Sequence, residues 1–529
     1  DCRVACGLFI GRQNIVVARI SFYGIHGLVG TSSFIIRTGP DERANMLRPW
    51  DLRIALDREL GVPAYLQIAH TIMDAIRLGR LPPGCALPGT RELAALAGVN
   101  RKTIQQSYEE LIAQGWLTTE AKRGTFVSAL LPLVEAGPPS THAAAGDAEF
   151  QLRRNAPNLP FAPVGPGALN FDDGAPDTRL MPAPLVARAY RRALLEGSRR
   201  NRLGYGDPRG SLGLRQAVAD MLNADRGLNC TPDNICITRG SQMGIYLAAR
   251  LLAQSGDTVV VESLSYPPAR EAFVASGATI VSVGLDESGM KIDELEAVCK
   301  KHRVRAVYVT PHHQFPTTVV MPPERRIRLL ALAEQYNFAI VEDDYDHEFH
   351  FTHRPMLPLA SVHGWGKLLY IGSLSKLLSP SLRIGYIAAA ETVVKRAAAE
   401  IMMIDRQGDP VTEAAAADIM TSGALKSHTR KVLRIYAQRR ECLADALREK
   451  LGDLVEVTVP QGGLALWVNF APGVNLSALA PTLASRKIGI TPGQAFATNG
   501  YKTNGARLGF GSMNEAELNE AVERLRNAL

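Results

Sequence analysis

The chain has 529 residues, 46% hydrophobic and 21% charged, with a net charge of +7. That is too long for one ordinary domain and too apolar for global disorder, so two or three folded domains are expected. The basic balance permits nucleic-acid binding without establishing it. Seven scattered cysteines with no Cys-x-x-Cys pair argue against a zinc site or disulfide framework and for a reducing, cytoplasmic setting, and no apolar run reaches the roughly 18 residues of a membrane span.

Residues 1–45 are irregular, with scattered glycines, and Met46 opens a well-patterned stretch. The expectation is a non-native or disordered extension ahead of a natural start near Met46; the plainer reading is a genuine N-terminal extension. From Tyr65 to Leu78, Leu66, Ala69, Ile72, Met73 and Ile76 recur at helical spacing. Gly79 stops that helix and Pro82-Pro83-Gly84 turns the chain. Thr90 is expected to cap a short second helix with Leu93 and Leu96 inward, and Asn100 a third, Arg101 to Ala113, with Ile104, Tyr108 and Leu111 buried. Two short strands near 115–118 and 125–128 flank the basic turn Lys122-Arg123-Gly124.

Helix, helix-turn-helix and a basic two-stranded wing form a winged-helix DNA reader, whose second paired helix enters the major groove. The plainer reading is a three-helix packing module with a solvated basic face. Leu87-Pro-Gly-Thr-Arg-Glu-Leu-Ala, Gly98-Val-Asn-Arg-Lys-Thr-Ile, Tyr108-Glu-Glu-Leu and Gly124-Thr-Phe-Val resemble the DNA-binding domain of the GntR regulator family. The resemblance assigns residues 46–128 to that domain. It implies DNA contact by Arg91, Arg101, Lys102, Thr103 and Gln105, by the capping Asn100, and by Lys122, Arg123 and Gly124 of the wing.

Residues 129–167 are rich in Ala, Pro and Gly without a sustained period and read as a linker. From 168 to 529 short buried strands alternate with helices. Thr258–Val261, Thr279–Val283, Ala306–Thr310, Ala339–Val341 and Leu368–Ile371 read as strands, and Asp293–His302 and Pro323–Asn337 as helices. Such alternation predicts an α/β domain with a mostly parallel sheet. Beyond Arg383 the chain becomes helix-rich and ends in a small α+β segment.

Three stretches carry candidate chemistry. Lys376 follows Gly372-Ser373-Leu374-Ser375 in a polar turn between two apolar runs, the second opening at Arg383. Desolvation there would lower its pKa and suit Schiff-base chemistry, with hydroxyls and the arginine to hold a phosphate; an exposed loop lysine is the plainer reading. Ile237-Thr-Arg-Gly-Ser-Gln242 suggests a loop and helix N-terminus whose Gly240, Ser241 and Gln242 can present N–H groups to a phosphate, or merely cap the helix. Ile340-Val-Glu-Asp-Asp-Tyr-Asp-His-Glu-Phe349 runs a strand into clustered acids. A carboxylate there can partner a protonated pyridine nitrogen, a divalent metal can bind, or the acids can be a solvated strand end.

Together with Tyr205-Gly-Asp-Pro, Thr310-Pro-His-His-Gln-Phe-Pro-Thr, Gly423-x-Leu-x-x-His428 and Arg439-Arg440, these motifs resemble a type I-fold aminotransferase. The whole chain from about Met46 resembles the MocR branch of GntR regulators. The resemblance implies pyridoxal 5'-phosphate as cofactor and no metal. Lys376 would be its Schiff-base lysine, Asp343 the partner of the pyridine nitrogen (with Asp344 the competing assignment), and Tyr345 the partner of the ring oxygen. Gly240, Ser241, Gln242, Ser373, Ser375 and Arg383 would surround the phosphate, Tyr266 would flank the ring, and Arg507 would grip an effector's carboxylate. Phe315-Pro-Thr-Thr318 departs from the usual Asn-Pro-Thr-Gly, which puts efficient turnover in doubt. The expected function is a cytoplasmic, cofactor-dependent regulator that binds a double-stranded DNA operator. It would sense the cofactor or an amino compound through aldimine chemistry, as a homodimer whose heads can pack on the partner subunit. An active aminotransferase with a fused reader is the alternative.

Overall fold

The computed structural model describes residues 3–11, 15–24, 27–37, 54–57, 60–132, 165–351 and 356–529. It divides into two compact units, 1–152 and 153–529. Met46 and most of the expected linker lie outside the described residues. The stretch expected to be irregular instead carries three antiparallel strands, Arg3–Gly11, Ile15–Gly24 and Gly27–Arg37. Gly24 pairs with Gly27 at the adjoining ends of the second and third strands, and Ile15-Val16-Val17 supply β-branched residues. Glycines taken as a mark of irregularity therefore fall partly where strands reverse.

In the first unit, helices Ala64–Arg77, Thr90–Ala97 and Arg101–Ala113 precede the strands Leu117–Glu120 and Gly124–Val127. Gly98 takes φ +64° between the second and third helices, a conformation open to glycine without strain. Asn100 caps the third helix as expected, accepting from the Lys102 N–H at 2.9 Å. Two expectations are corrected. Gly89 occupies the N-cap of the second helix and Thr90 is its first helical residue. Leu93 is buried, but Leu96 is exposed and Ala94 packs inward instead, because the inner face runs through 93, 94 and 97 and leaves 96 beyond its edge. Ile68, Ile72, Leu93, Ile104, Tyr108, Leu111 and Trp116 share one core.

The second unit is built on a seven-stranded sheet. Its order is Ile235–Thr238, Gly385–Ala388, Leu368–Ser373, Ala339–Asp344, Val304–Val309, Thr258–Glu262, Thr279–Val283. Gly385–Ala388 alone runs against the others. The inner strands are nearly continuous apolar runs because helices cover both faces. Leu368–Ser373 has a paired neighbour on each edge and all six residues buried. Helix Pro323–Tyr336 begins with proline in its first turn and stops at Asn337, which is left-handed. The C-terminal part has a three-stranded antiparallel sheet, Val455–Thr458, Ala465–Phe470 and Gly505–Gly509, with the long helix Ala424–Leu451 and the closing helix Glu515–Arg526. Among the described residues, no helix is long and apolar enough to cross a membrane.

Candidate functional site

On the first unit, Arg91, Asn100, Arg101, Lys102 and Gln105 are exposed, and Thr103 is half-buried. Ile104 and Tyr108 anchor the opposite face, with the Tyr108 hydroxyl donating to the Pro88 carbonyl at 2.9 Å. Arg101 Nε donates to Thr90 Oγ1 at 3.2 Å, which holds the arginine beside the start of the second helix. In the wing, Lys122 takes φ +63°, and Lys122, Arg123 and Gly124 are exposed. Arg123 is ion-paired to Glu120 and lies over the Phe126 ring, so part of its charge is locally compensated.

On the second unit, the C-terminal ends of parallel strands collect the candidate chemistry, where open α/β sheets bind ligands. Strand Leu368–Ser373 delivers Ser373, Ser375 and Lys376, and strand Ala339–Asp344 delivers Asp343 and Tyr345. Lys376 Nζ stands 4.5 Å from the centroid of the Tyr345 ring. Burial lowers the lysine's pKa, opposed by the nearby charge of Asp346. Lys376 is half-buried rather than an exposed loop lysine. The Tyr345 hydroxyl donates to the His313 carbonyl at 2.9 Å and accepts from Arg507 Nη2 at 3.4 Å. Arg507 is fully buried rather than a surface arginine. It donates to the Asp173 and Pro316 carbonyls at 2.8 and 2.9 Å and lies over Phe315. Tyr266 meets Phe315 edge-on at 5.0 Å.

The clustered acids are not a solvated strand end: Glu342, Asp343, Asp344 and Asp346 are all buried. Glu342 accepts from the Leu359 and Ala360 N–H groups and so caps a helix. Asp344 Oδ2 is engaged by Tyr370 at 2.6 Å and by His347 Nδ1 at 2.8 Å. Asp343 Oδ2 accepts from Tyr308 at 2.6 Å, while its Oδ1 is buried without a partner. Burial raises the Asp343 pKa to about 7, and Lys376 is among the charges that lower it.

Helix Ser241–Leu252 starts at Gly240, φ +77°, with no side-chain cap on its N–H groups. A Cβ at Gly240 would lie 2.7 Å from Arg383 Nη2, and one at Gly385 would lie 2.5 Å from the Gly240 carbonyl carbon. These glycines let the strand end, the helix start and the guanidinium converge. Arg383 itself is exposed and donates to the Arg239 carbonyl at 3.1 Å. Ser373 and Ser375 are buried, with Ser373 Oγ accepting from the Ser375 N–H at 3.2 Å. Gln242 Oε1, Ser263 Oγ and Ser265 Oγ are buried without partners.

The sequence reading did not single out Tyr308, Asp346, His313, Asp173 or Gly385. Tyr308 had a signal, a lone aromatic hydroxyl in an aliphatic strand, but its partner lies 35 residues away. Asp346, one position past Tyr345, accepts from His313 Nδ1 at 2.8 Å.

Carried on one chain, these two units define a DNA-binding reader fused to an aminotransferase-like domain. Residues 167–525 match the family of class I and II aminotransferases, and residues 64–127 match the bacterial regulatory proteins of the gntR family. The chain is 27% identical over 475 residues to "Probable rhizopine catabolism regulatory protein MocR" of Rhizobium meliloti, covering 90% of this chain and 95% of that one. It is 30% identical to the HTH-type transcriptional regulator TauR of Rhodobacter capsulatus, covering 88% and 96%. Among solved structures it is similar to LysN, an α-aminoadipate aminotransferase of Thermus thermophilus complexed with N-(5'-phosphopyridoxyl)-L-leucine. That likeness has a TM-score of 0.64 and 28% identity over 69% of this chain and 92% of LysN. The protein belongs to the MocR subfamily of GntR-type transcriptional regulators.

Proposed function

We propose that this regulator binds pyridoxal 5'-phosphate in the Lys376 cleft and couples the occupancy of that cleft to DNA binding. The observation that carries the reading is a half-buried Lys376, its pKa lowered by desolvation, whose charge acts on Asp343, with Asp343 Oδ1 buried without a partner. A buried acceptor without a donor costs about 1–3 kcal/mol, and a protonated pyridine nitrogen supplies the missing donor. LysN, similar over the same domain, holds a phosphopyridoxyl group.

In this reading Asp343 holds the proton of the ring nitrogen and Tyr308 fixes the carboxylate. Tyr345 would turn its hydroxyl from the His313 carbonyl toward the ring oxygen, and Tyr266 would flank the ring. Gly240, Ser241 and Gln242 offer N–H groups, Ser373 and Ser375 hydroxyls, and Arg383 charge to the phosphate. Lys376 presents the amine. Bound there, the cofactor supplies an aldehyde and an electron-withdrawing ring. Arg507, held by carbonyls of Asp173 and Pro316, would grip an effector's carboxylate with its remaining N–H groups.

On the first unit, Arg91, Arg101, Lys102, Thr103 and Gln105 read or position DNA, with Asn100 fixing the helix start and Lys122, Arg123 and Gly124 contacting phosphates. The protein works as a homodimer whose two heads read repeated half-sites. An effector with different affinity for the open and closed cleft shifts the arrangement of the heads.

The test is a footprint of the full-length protein on the DNA upstream of its own gene, with and without pyridoxal phosphate. A protected repeat that changes with cofactor is the expected result. Protection that ignores the cofactor overturns the coupling. No protection, combined with sustained transamination of an amino donor, favours the enzyme reading.

A further inference from the structure

We propose that His312, Asp344 and His347 bind one divalent transition-metal ion, zinc by donor preference, beside a cavity that His347 lines. The three side chains each offer one ligand atom, and these atoms lie within 4.8 Å of one another. All three side chains are more than nine-tenths buried. His312 Nδ1, Asp344 Oδ1 and His347 Nε2 have no hydrogen-bond partner. One buried orphan is common enough; three on neighbouring side chains are a costly arrangement that a shared cation relieves.

The surroundings are those of a prepared site. Tyr370 donates to Asp344 Oδ2 at 2.6 Å, and Arg226 in turn bonds the Tyr370 hydroxyl, so the carboxylate cannot swing away. The His347 Nδ1 contact to the same oxygen orients its ring. The His312 and His347 rings lie 4.6 Å apart with planes 29° from parallel, an arrangement imposed by the strand ends that carry them. Such outer partners are what fixes ligands around bound metals.

Two imidazoles and one carboxylate form a donor set for zinc and its neighbours, and a poor one for magnesium or calcium, which take oxygen ligands. The cysteine spacing that argues against a zinc site does not bear on these donors. A cavity of about 920 Å³ reaches His347 and is lined also by Arg226, Glu348, His350, Lys426 and Arg430. It reaches the cluster at His347, the side from which an ion or a water ligand would approach. Three protein ligands plus an open position describe an exchangeable ion rather than a structural one. Asp344 adjoins Asp343 in the chain, so an ion there sits one residue from the acid that faces the Lys376 cleft. The site does not depend on what that cleft binds.

The experiment is a titration of metal-stripped, full-length protein with cobalt(II), followed by zinc competition. The expected result is one cobalt per chain, with a visible absorption band of low-symmetry nitrogen and oxygen coordination, displaced by zinc. His312→Ala and His347→Ala should each weaken binding by about tenfold or more. No stoichiometric wild-type band overturns the proposal, as does binding unchanged in the double variant, which would mean surface histidines only. Circular dichroism shows whether the variants fold, and the wild-type titration decides the matter if they do not.

Discussion

The Tyr308 hydroxyl donates to Asp343 Oδ2 at 2.6 Å, and the other oxygen of that carboxylate has no partner. One strand thus orients an acid on its neighbour and leaves a single acceptor aimed elsewhere. Tyr308→Phe keeps the ring packing against Phe273 but frees the carboxylate. Its expected effect is about tenfold weaker binding of pyridoxal phosphate, read by absorbance titration, with little loss of stability. Unchanged affinity would mean that Asp343 is held by other contacts.

Thr318 stands where ordinary aminotransferases carry glycine, and it sits at φ +64°. A β-branched residue there is strained by about 1–2 kcal/mol. Thr318→Gly should therefore raise the urea midpoint, with a net gain of about 1 kcal/mol after the entropy cost of glycine. A lower midpoint would show that the buried threonine side chain contributes more than the strain removes.

Glu262 is fully buried, and desolvation pushes its pKa from 4.5 to about 8, with a Gln314 amide bond at 3.0 Å only partly opposing this. The folded protein then holds a proton that the unfolded chain releases between those values. Its contribution is fully present below about 4.5 and is lost as pH rises toward 8. Glu262→Gln should flatten that slope, gaining on the order of a few kcal/mol near pH 8 and little at pH 4.5. Urea midpoints over this range, wild type against variant, give the answer; parallel curves would refute it.

Arg101 is exposed at the start of the third helix and braced by Thr90. Arg101→Ala should weaken specific DNA binding by about ten- to a hundredfold while leaving the cofactor absorbance unchanged. Affinity should also fall as salt rises, since phosphate contacts release counterions. Mobility shifts at two salt concentrations measure both, and a flat salt profile would contradict the proposed footprint.

Much of the architecture was readable before any coordinates. The strands Thr258–Glu262, Ala339–Asp344 and Leu368–Ser373 are apolar runs that could hardly sit elsewhere, and the third helix carries its own cap and stripe. Ile237 and Thr238 were read as part of a loop, yet they end the strand Ile235–Thr238, whose four residues form a strand only by pairing with Gly385–Ala388, about 150 positions on. Leu96 misled because helical spacing does not tell how wide a short helix's buried stripe is. Lys376 and Arg507 were legible through their motifs. The Tyr308 to Asp343 bond and the approach of His312 to His347 were not, because each joins different strand ends, and only the parallel register brings those together.

Leu368–Ser373 has paired neighbours on both edges and every residue buried, as has the adjacent Gly385–Ala388. Its amides should trade hydrogen for deuterium only when the whole unit opens, whereas the exposed wing strand Leu117–Glu120 should exchange within its own small fluctuations. Lys376 hangs from the end of that protected segment. Anything bound beside it therefore meets an anchor that does not yield, and the displacement must be taken up by the loops around it. Deuterium uptake that changes there on effector addition, but not in Leu368–Ser373, would trace where the signal leaves the site.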